Sequence, residues 1–407
     1  MGEIKLDDIC DAIVDCEHKT APLVAFGYPS VRTTNIKNGR IDWDNCNRLD
    51  PATYEAWTRR RVPAPGDLIL AREAPVGEVG LIPEGVQAVL GQRTVLICPD
   101  HRKVDSRYLH FLLISPDVQT DMLGKAAGST VEHLNMSDIR ALPLPELPPL
   151  PEQRAIARVL GGLDDKIELN RRMNRTLEDL ARALFNDWLE HMESELATVT
   201  TQSLTDSGVL VIGDGYRAKR SELRPTGLPF ARAGNINGGF QFKDCEYMGV
   251  DGIQAAGEKV SRPLDSVFTS KGTVGRLALV SKSTPTFVYA PQLCFWRAVD
   301  SSRLNPYVLH QWMHGEEFGE QVDMTKGQTD MADYVSLTDQ RRMRITLPSP
   351  KRQAEVGRHL ERLYGMMDQN TTQIGTFAAL RDSLLPVLLS GELRLHHVSA
   401  AVEEVLA

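Results

Sequence analysis

PLPELPPLPEQRAIARVL, from Pro143 to Leu160, sets five prolines in nine residues and then passes directly into apolar residues at helical spacing. Proline lacks the N–H that a helix interior needs, but it fits the first helical turn, where that donor has no partner. The stretch therefore reads as the end of one folded body and the start of a helix at Pro151, in preference to an extended PxxP ligand. TLPSPKRQAEVGRHL, from Thr346 to Leu360, repeats the arrangement with fewer of its signals, and Gln353 and Leu360 stand where Gln153 and Leu160 stand.

The same offset connects other parts of the chain. TTNIKNG (Thr33–Gly39) answers AGNINGG (Ala233–Gly239) at an offset of 200, and LILAREAPVGEVGLI (Leu68–Ile82) answers SVFTSKGTVGRLALV (Ser266–Val280) at 198. Gln92 pairs with Gln292, and Gly128 with Gly327. Matches in one order at nearly one offset make an internal duplication. A heptad with Ile156 at position a runs through Leu163, Asn170, Leu177 and Leu184 in the first copy, and through Val356, Leu363, Asn370, Phe377 and Leu384 in the second. An Asn at such a position sacrifices stability to fix register, because it is satisfied only by a polar partner. Asn170 and Asn370 lie near the centres of their segments, so they come close together if the helices pair, and chain connectivity favours an antiparallel pair. Forty residues at 1.5 Å rise give about 60 Å of helix. Gly161 and Gly162 weaken it by about 1 kcal/mol each relative to Ala, which requires either a close neighbour or a bend.

The expected fold is α+β: two mixed α/β domains, which the resemblance given below implies to be target-recognition domains, separated by a long antiparallel two-helix coiled coil, with an internal pseudo-twofold repeat. The boundaries are 1–150 for the first domain, 151–195 for the central helix, 196–350 for the second domain, 351–390 for the distal helix and 391–407 for a C-terminal tail. Hydrophobic residues at 42% and charged residues at 25% of 407 support buried cores. With no apolar run of 18 residues and no basic, apolar leader, the chain is expected to be cytoplasmic and without a membrane partner. Its six cysteines show no CxxC pairing and no His at zinc spacing, so no metal site is expected. The net charge of −8 means that any nucleic-acid contact comes from local basic patches or from a partner's charge.

Catalytic patterns are missing. GKAAGST (Gly124–Thr130) has the composition of a phosphate loop in the wrong order. LNPYVL, with Asn305, Pro306 and Tyr307, lacks one proline of the Asn-Pro-Pro-Tyr loop of adenine methyltransferases, and PDHRK (Pro99–Lys103) is too short a hint of a metal nuclease. Side chains suited to DNA do recur in both copies, because Asn and Gln pair with adenine, Arg and Lys with guanine, and Thr with phosphate. In the first copy the candidates are Arg32, Thr33, Asn35, Lys37, Arg72, Gln92 and Arg93. In the second they are Arg232, Asn235, Asn237, Lys271, Thr273, Arg276, Gln292 and Gln328. Clusters at Arg59–Arg61 and at Arg217, Lys219 and Arg220 suit phosphates.

These residues resemble the specificity subunit of type I restriction-modification systems over essentially the whole chain. The resemblance is strongest in Leu147–Trp188 and clear in DCEHKTAP (Asp15–Pro22), GTVGRLALV (Gly272–Val280) and LLPVLLSGELRL (Leu384–Leu395). It implies a noncatalytic subunit that reads a split, asymmetric double-stranded DNA target and docks two modification (methyltransferase) subunits and the restriction (helicase-nuclease) subunits. S-adenosylmethionine, ATP and Mg would belong to those partners, and this chain would bind no cofactor. KRQAEVGRHLERLYG departs from the family's PEQR-type opening in the second helix. The competing readings are a coiled-coil scaffold with protein-binding ends, and a specificity chain of a fused restriction-methylation enzyme.

Overall fold

LILAR and TVLICP are apolar at consecutive positions, which a strand tolerates only where both faces are covered. In the computed structural model, which describes residues 4–126, 132–243, 245–325 and 333–393, both are buried strands. Residues up to Glu168, with those from Thr376 on, form one compact unit, and Leu169–Gly375 form a second. Both long helices therefore contribute residues to each unit.

In the first unit the strands include β1 (Cys10–Asp15), β2 (Tyr28–Val31), β3 (Ile36–Lys37), β4 (Arg40–Ile41), β5 (Asn47–Leu49), β6 (Leu68–Arg72), β7 (Val76–Leu81), β8 (Val89–Leu90) and β9 (Thr94–Pro99). Four of them form a sheet in the order β1-β9-β6-β7, and three form another in the order β5-β2-β8. Helix α1 (Pro51–Trp57) follows β5, and α2 (Ser106–Leu113) packs Tyr108, Leu109 and Leu112 onto the larger sheet's core with Leu68, Leu70 and Val95. Helix α3 (Leu150–His191) then begins, and its Ile156 and Leu160 enter that core.

The second unit repeats the plan with β10 (Leu210–Asp214), β11 (Leu228–Ala231), β12 (Ser266–Thr269), β13 (Leu277–Leu279), β14 (Val288–Tyr289) and β15 (Leu293–Ala298). The sheet order is β10-β15-β12-β13, strand for strand that of the first unit, and the parallel pair β11/β14 repeats β2/β8. Helix α4 (Pro306–Met313) stands for α2, and α5 (Pro350–Leu389) is the second long helix. The duplication seen in the sequence is thus a duplication of topology.

The repeated glutamines stitch each long helix to its own unit. Gln153 accepts from Asp105 N at 2.9 Å and donates to Pro148 O at 2.8 Å, while Gln353 accepts from Asn305 N at 3.2 Å and donates to Pro348 O at 2.9 Å. Asp105 and Asn305 are in turn the N-caps of α2 and α4. Asn305 therefore serves a helix end, which satisfies orphan N–H groups, and LNPYVL holds no base-binding loop. Gly161 has a similar explanation: a Cβ there would lie 2.5 Å from the Arg107 guanidinium, whose Nη2 donates to Gly161 O at 3.1 Å. A close neighbour, rather than a bend, accounts for that glycine.

Within the second unit α3 and α5 run antiparallel. Asn170 Nδ2 donates to Gln373 Oε1 at 3.0 Å, and Asn370 Nδ2 donates to Asn174 Oδ1 at 2.8 Å. Asn174 Nδ2 reaches Thr371 Oγ1 at 3.2 Å and Met367 O at 3.3 Å. Asn170 and Asn370 are both buried, so each meets the polar partner that burial demands. They do not bond each other, because each lies opposite a residue three or four positions from the other. In the first unit Asp164 of α3 takes Arg40 at 3.1 Å and Arg381 of α5 at 2.8 Å. Burial pushes its carboxyl up, but the two guanidinium groups outweigh burial and hold it below the ordinary range.

The two sheets differ in how they hold one buried carboxylate. Asp265, fully buried, is gripped by Arg297 through Nε at 2.7 Å and Nη2 at 2.8 Å, and it accepts from Tyr289 OH at 2.7 Å. By strand register, Asp67 and Cys98 occupy the same places in the first unit. Burial raises the Asp67 carboxyl above its ordinary value of 3.8, opposed by the hydrogen bond from Ala64 N, and burial with Asp67 pushes the Cys98 thiol up to about 12. A carboxyl whose folded value lies above its unfolded one stabilises fully below the unfolded value, and that contribution is lost as pH rises through the folded value. Asp67→Asn keeps an acceptor for Ala64 N and removes the buried charge. It is expected to gain about 0.5–1 kcal/mol at pH 8 and nothing near pH 3, read as melting temperature against pH; an equal gain at both pH values would refute this.

Candidate nucleic-acid interface

The sheet order brings three chain segments to one edge of the first unit. Asp15 at the end of β1 pairs with Val95, and Ala71 near the end of β6 pairs with Thr94, so residues 15–20, 72–73 and 92–94 converge. Asp15 is the hub. Its Oδ2 takes Arg72 Nη1 at 2.8 Å and lies 2.8 Å from His18 Nε2, and its Oδ1 accepts from Cys16 N at 2.9 Å. Arg60 donates to Asp15 O at 3.3 Å, and Gln92 Nε2 donates to Thr20 Oγ1 at 3.0 Å. Arg93 adopts a positive φ of 64° and extends a half-exposed guanidinium that meets Glu73 at 3.3 Å. Arg72, Gln92 and Arg93 are thus brought together, with Arg60 beside them.

The second unit converges at the equivalent edge. Asp214 pairs with Cys294 and Thr269 with Leu293, and Ser270 N donates to Gln292 O at 2.8 Å as Arg72 N does to Arg93 O at 3.0 Å, so by strand register Gln292 stands in the place of Arg93 and not of Gln92. The side chains differ. Asp214 is held by Lys259 at 2.7 Å, and Lys271 Nζ sits 4.5 Å from the centroid of the Tyr334 ring. Gln292 Oε1 is enclosed without a partner among the described residues. Thr273 and Arg276 are exposed on the turn after β12. Gln328 lies outside the described residues, as do Gly128 and Gly327. Equivalent edges with different side chains are what two readers of unlike sequences require.

The TTN and AGN turns serve another purpose. Asn35 Oδ1 accepts from Arg32 N at 3.0 Å and its Nδ2 donates to Asn45 O at 3.0 Å; Asn235 does the same with Arg232 N at 2.8 Å and Gln241 O at 2.8 Å. Thr33 donates to Ala74 O at 3.1 Å. At 5% exposure each, Thr33 and Asn35 are buried and spend these bonds on holding the turn. The exposed candidates in these segments are Arg32, Lys37 and Asn237, with Arg232 paired to Glu246. The hub itself, Asp15 with His18, was missed as a site, although DCEHKTAP was a visible signal. Asp15, Cys16 and His18 bring metal-ligating atoms within 4.8 Å of one another, but Arg72 already places a cation on the shared carboxylate. That arrangement suits an ion pair and repels a metal ion.

A family model described as the type I restriction modification DNA specificity domain matches residues 3–179. The MjaIX specificity subunit of a type I restriction enzyme from Methanocaldococcus jannaschii is 24% identical over 355 residues, covering 82% of this chain and 79% of that protein. The HindI specificity subunit from Haemophilus influenzae is 30% identical over 120 residues, 29% of this chain and 26% of that one. Among solved structures, the type I restriction-modification S subunit from M. genitalium covers 95% of both chains with a TM-score of 0.57 at 17% identity, a likeness of fold.

Proposed function

Because the chain belongs to the specificity-subunit family of type I restriction-modification systems, we propose that each of its two units reads one half of a split, asymmetric DNA target. The observation that carries this reading is the pair of equivalent sheet edges, one dressed with Arg72, Gln92 and Arg93 and the other with Lys271, Arg276 and Gln292. Arg32, Lys37, Asn237 and Thr273 are the remaining exposed candidates for base or phosphate contact. The net charge of −8 leaves part of the phosphate binding to partner subunits.

The chain acts as the noncatalytic member of its assembly. Two modification subunits would dock on the long helices, where Leu169, Met173 and Leu180 form an exposed apolar row on α3 at spacings of four and seven residues. A second docking feature is an open hollow of about 390 Å³ lined by Leu184, Trp188, His191, Val356 and His359. Restriction subunits would complete the assembly. S-adenosylmethionine, ATP and Mg would be used by those partners and not by this chain.

Replacing residues 1–150 with the first recognition domain of another such subunit is expected to change one half of the methylated sequence and leave the other intact. The readout is a map of methylated adenines in cells that also carry the modification partner. A change in both halves would overturn the assignment of one half-site to each unit.

A further inference from the structure

The loop between β1 and β2 holds an apolar tip that the fold itself does not use. Phe26 is 90% exposed and Leu23 58% exposed, on a segment pinned on both sides of the ring. Val24 N donates to Arg48 O at 3.0 Å, and Gly27 has a φ of +149° with its missing Cβ position 2.1 Å from Leu49 O. Tyr28 is then fixed by stacking on Tyr54 at 4.0 Å. The turn is built, and the ring is held out in solvent.

The second unit contains the same turn with a different tip. Gly227, with a φ of +140°, approaches Met248 O as Gly27 approaches Leu49 O, its Cβ position lying 2.0 Å away. The residue before it is Thr226, and Leu23 and Val24 correspond to Leu223 and Arg224. A scaffold present twice, apolar at its tip once, points to a function of the tip and not of the turn.

The surroundings of the Phe26 loop identify what it meets. The segment leading into it is tied to Gln92 through Thr20 and to Arg60 through Asp15 O, and Lys19, Arg59, Arg60 and Arg61 are exposed. An apolar ring on a loop that leaves this cationic edge suits a base step bordered by phosphates, the arrangement in which apolar side chains enter between bases and unstack them. We propose that Phe26 is a wedge that enters a base step of duplex DNA within the half-site read by the first unit. The proposal rests on the DNA-reading function above, and it gives that unit a contribution to recognition through the deformability of the step.

The test uses the full chain assembled with its modification subunits, on the target duplex defined by methylation mapping. A single abasic site, which removes stacking in advance, is moved along the duplex and affinity is measured at each position. The wild type is expected to bind about tenfold more tightly at one position in the first half-site. Phe26→Thr, which installs the residue of the equivalent turn and leaves the melting temperature unchanged, should abolish that gain. Thr226→Phe should create a gain in the other half-site. Identical profiles for wild type and Phe26→Thr would overturn the wedge. So would failure of Phe26→Thr to assemble with the modification subunits in the absence of DNA, because the ring would then be a protein contact. Absence of any sequence-selective binding by the wild type would remove the DNA reading itself, an outcome distinguishable from loss of the abasic gain alone.

Discussion

Arg297→Met is expected to destabilise the second unit by about 3–5 kcal/mol, the range for removing one partner of a buried ion pair. Asp265 would keep its hydrogen bonds from Arg262 N and Tyr289 OH, at 2.9 and 2.7 Å, and lose both bonds from the guanidinium in a site with no solvent access. Methionine replaces the packing of the side chain without its charge. Arg297→Met/Asp265→Asn, which leaves no uncompensated charge, should recover a large part of the loss. Urea unfolding of the three proteins decides the matter, and a single-variant cost under about 1 kcal/mol would show that the pair contributes little. The first unit supports the reasoning with its own solution, since the position of Arg297 is Cys98 there and Asp67 bears a raised value in place of an ion pair.

Gly215→Cys is expected to cost about 3 kcal/mol, at the upper end of overpacking effects. It would transfer to the second unit the residue that follows the equivalent aspartate in the first, Cys16 after Asp15. Cys16 is buried without difficulty, but a Cβ on Gly215 would lie 1.9 Å from Ala290 O and 2.7 Å from Tyr289 O, both backbone atoms. The first unit has Gly91 in the place of Ala290, where a Cβ would lie 2.6 Å from Val31 O. The melting temperature of Gly215→Cys checks the prediction, and a value within a degree of wild type would refute it.

The sequence made the architecture legible where one physical requirement recurs in both copies. Gln153 and Gln353, Asn170 and Asn370, and the prolines before α3 and α5 are constrained by helix ends and by a shared seam, so the duplication preserved them. The strand order could not be read, because DLILA, GLI and TVLI carry burial but no information about which strand lies beside which. The site was only partly legible for a related reason. Asn and Thr in TTN are as suitable for bonding a turn as for bonding a base, and at Thr33 and Asn35 the turn takes them. Asp15 and His18 were overlooked because a carboxylate is a poor candidate beside DNA, until a strand end fifty-seven residues away brings Arg72 onto it.

The polar seam of α3 and α5 also bears on how a chain that was doubled keeps its halves in order. By the offset of 200, Gln373 corresponds to Met173 and Asn174 to Ile374. Were α5 to face another α5 in the observed geometry, one Asn370 would meet Gln373 but the other would lie against Ile374, and a buried amide left without a partner costs about 1–3 kcal/mol. Were α3 to face another α3, one Asn170 would meet Asn174 and the other would lie against Met173. The differences between Met173 and Gln373 and between Asn174 and Ile374 give the helices distinct addresses: unlike copies satisfy both buried asparagines and like copies only one.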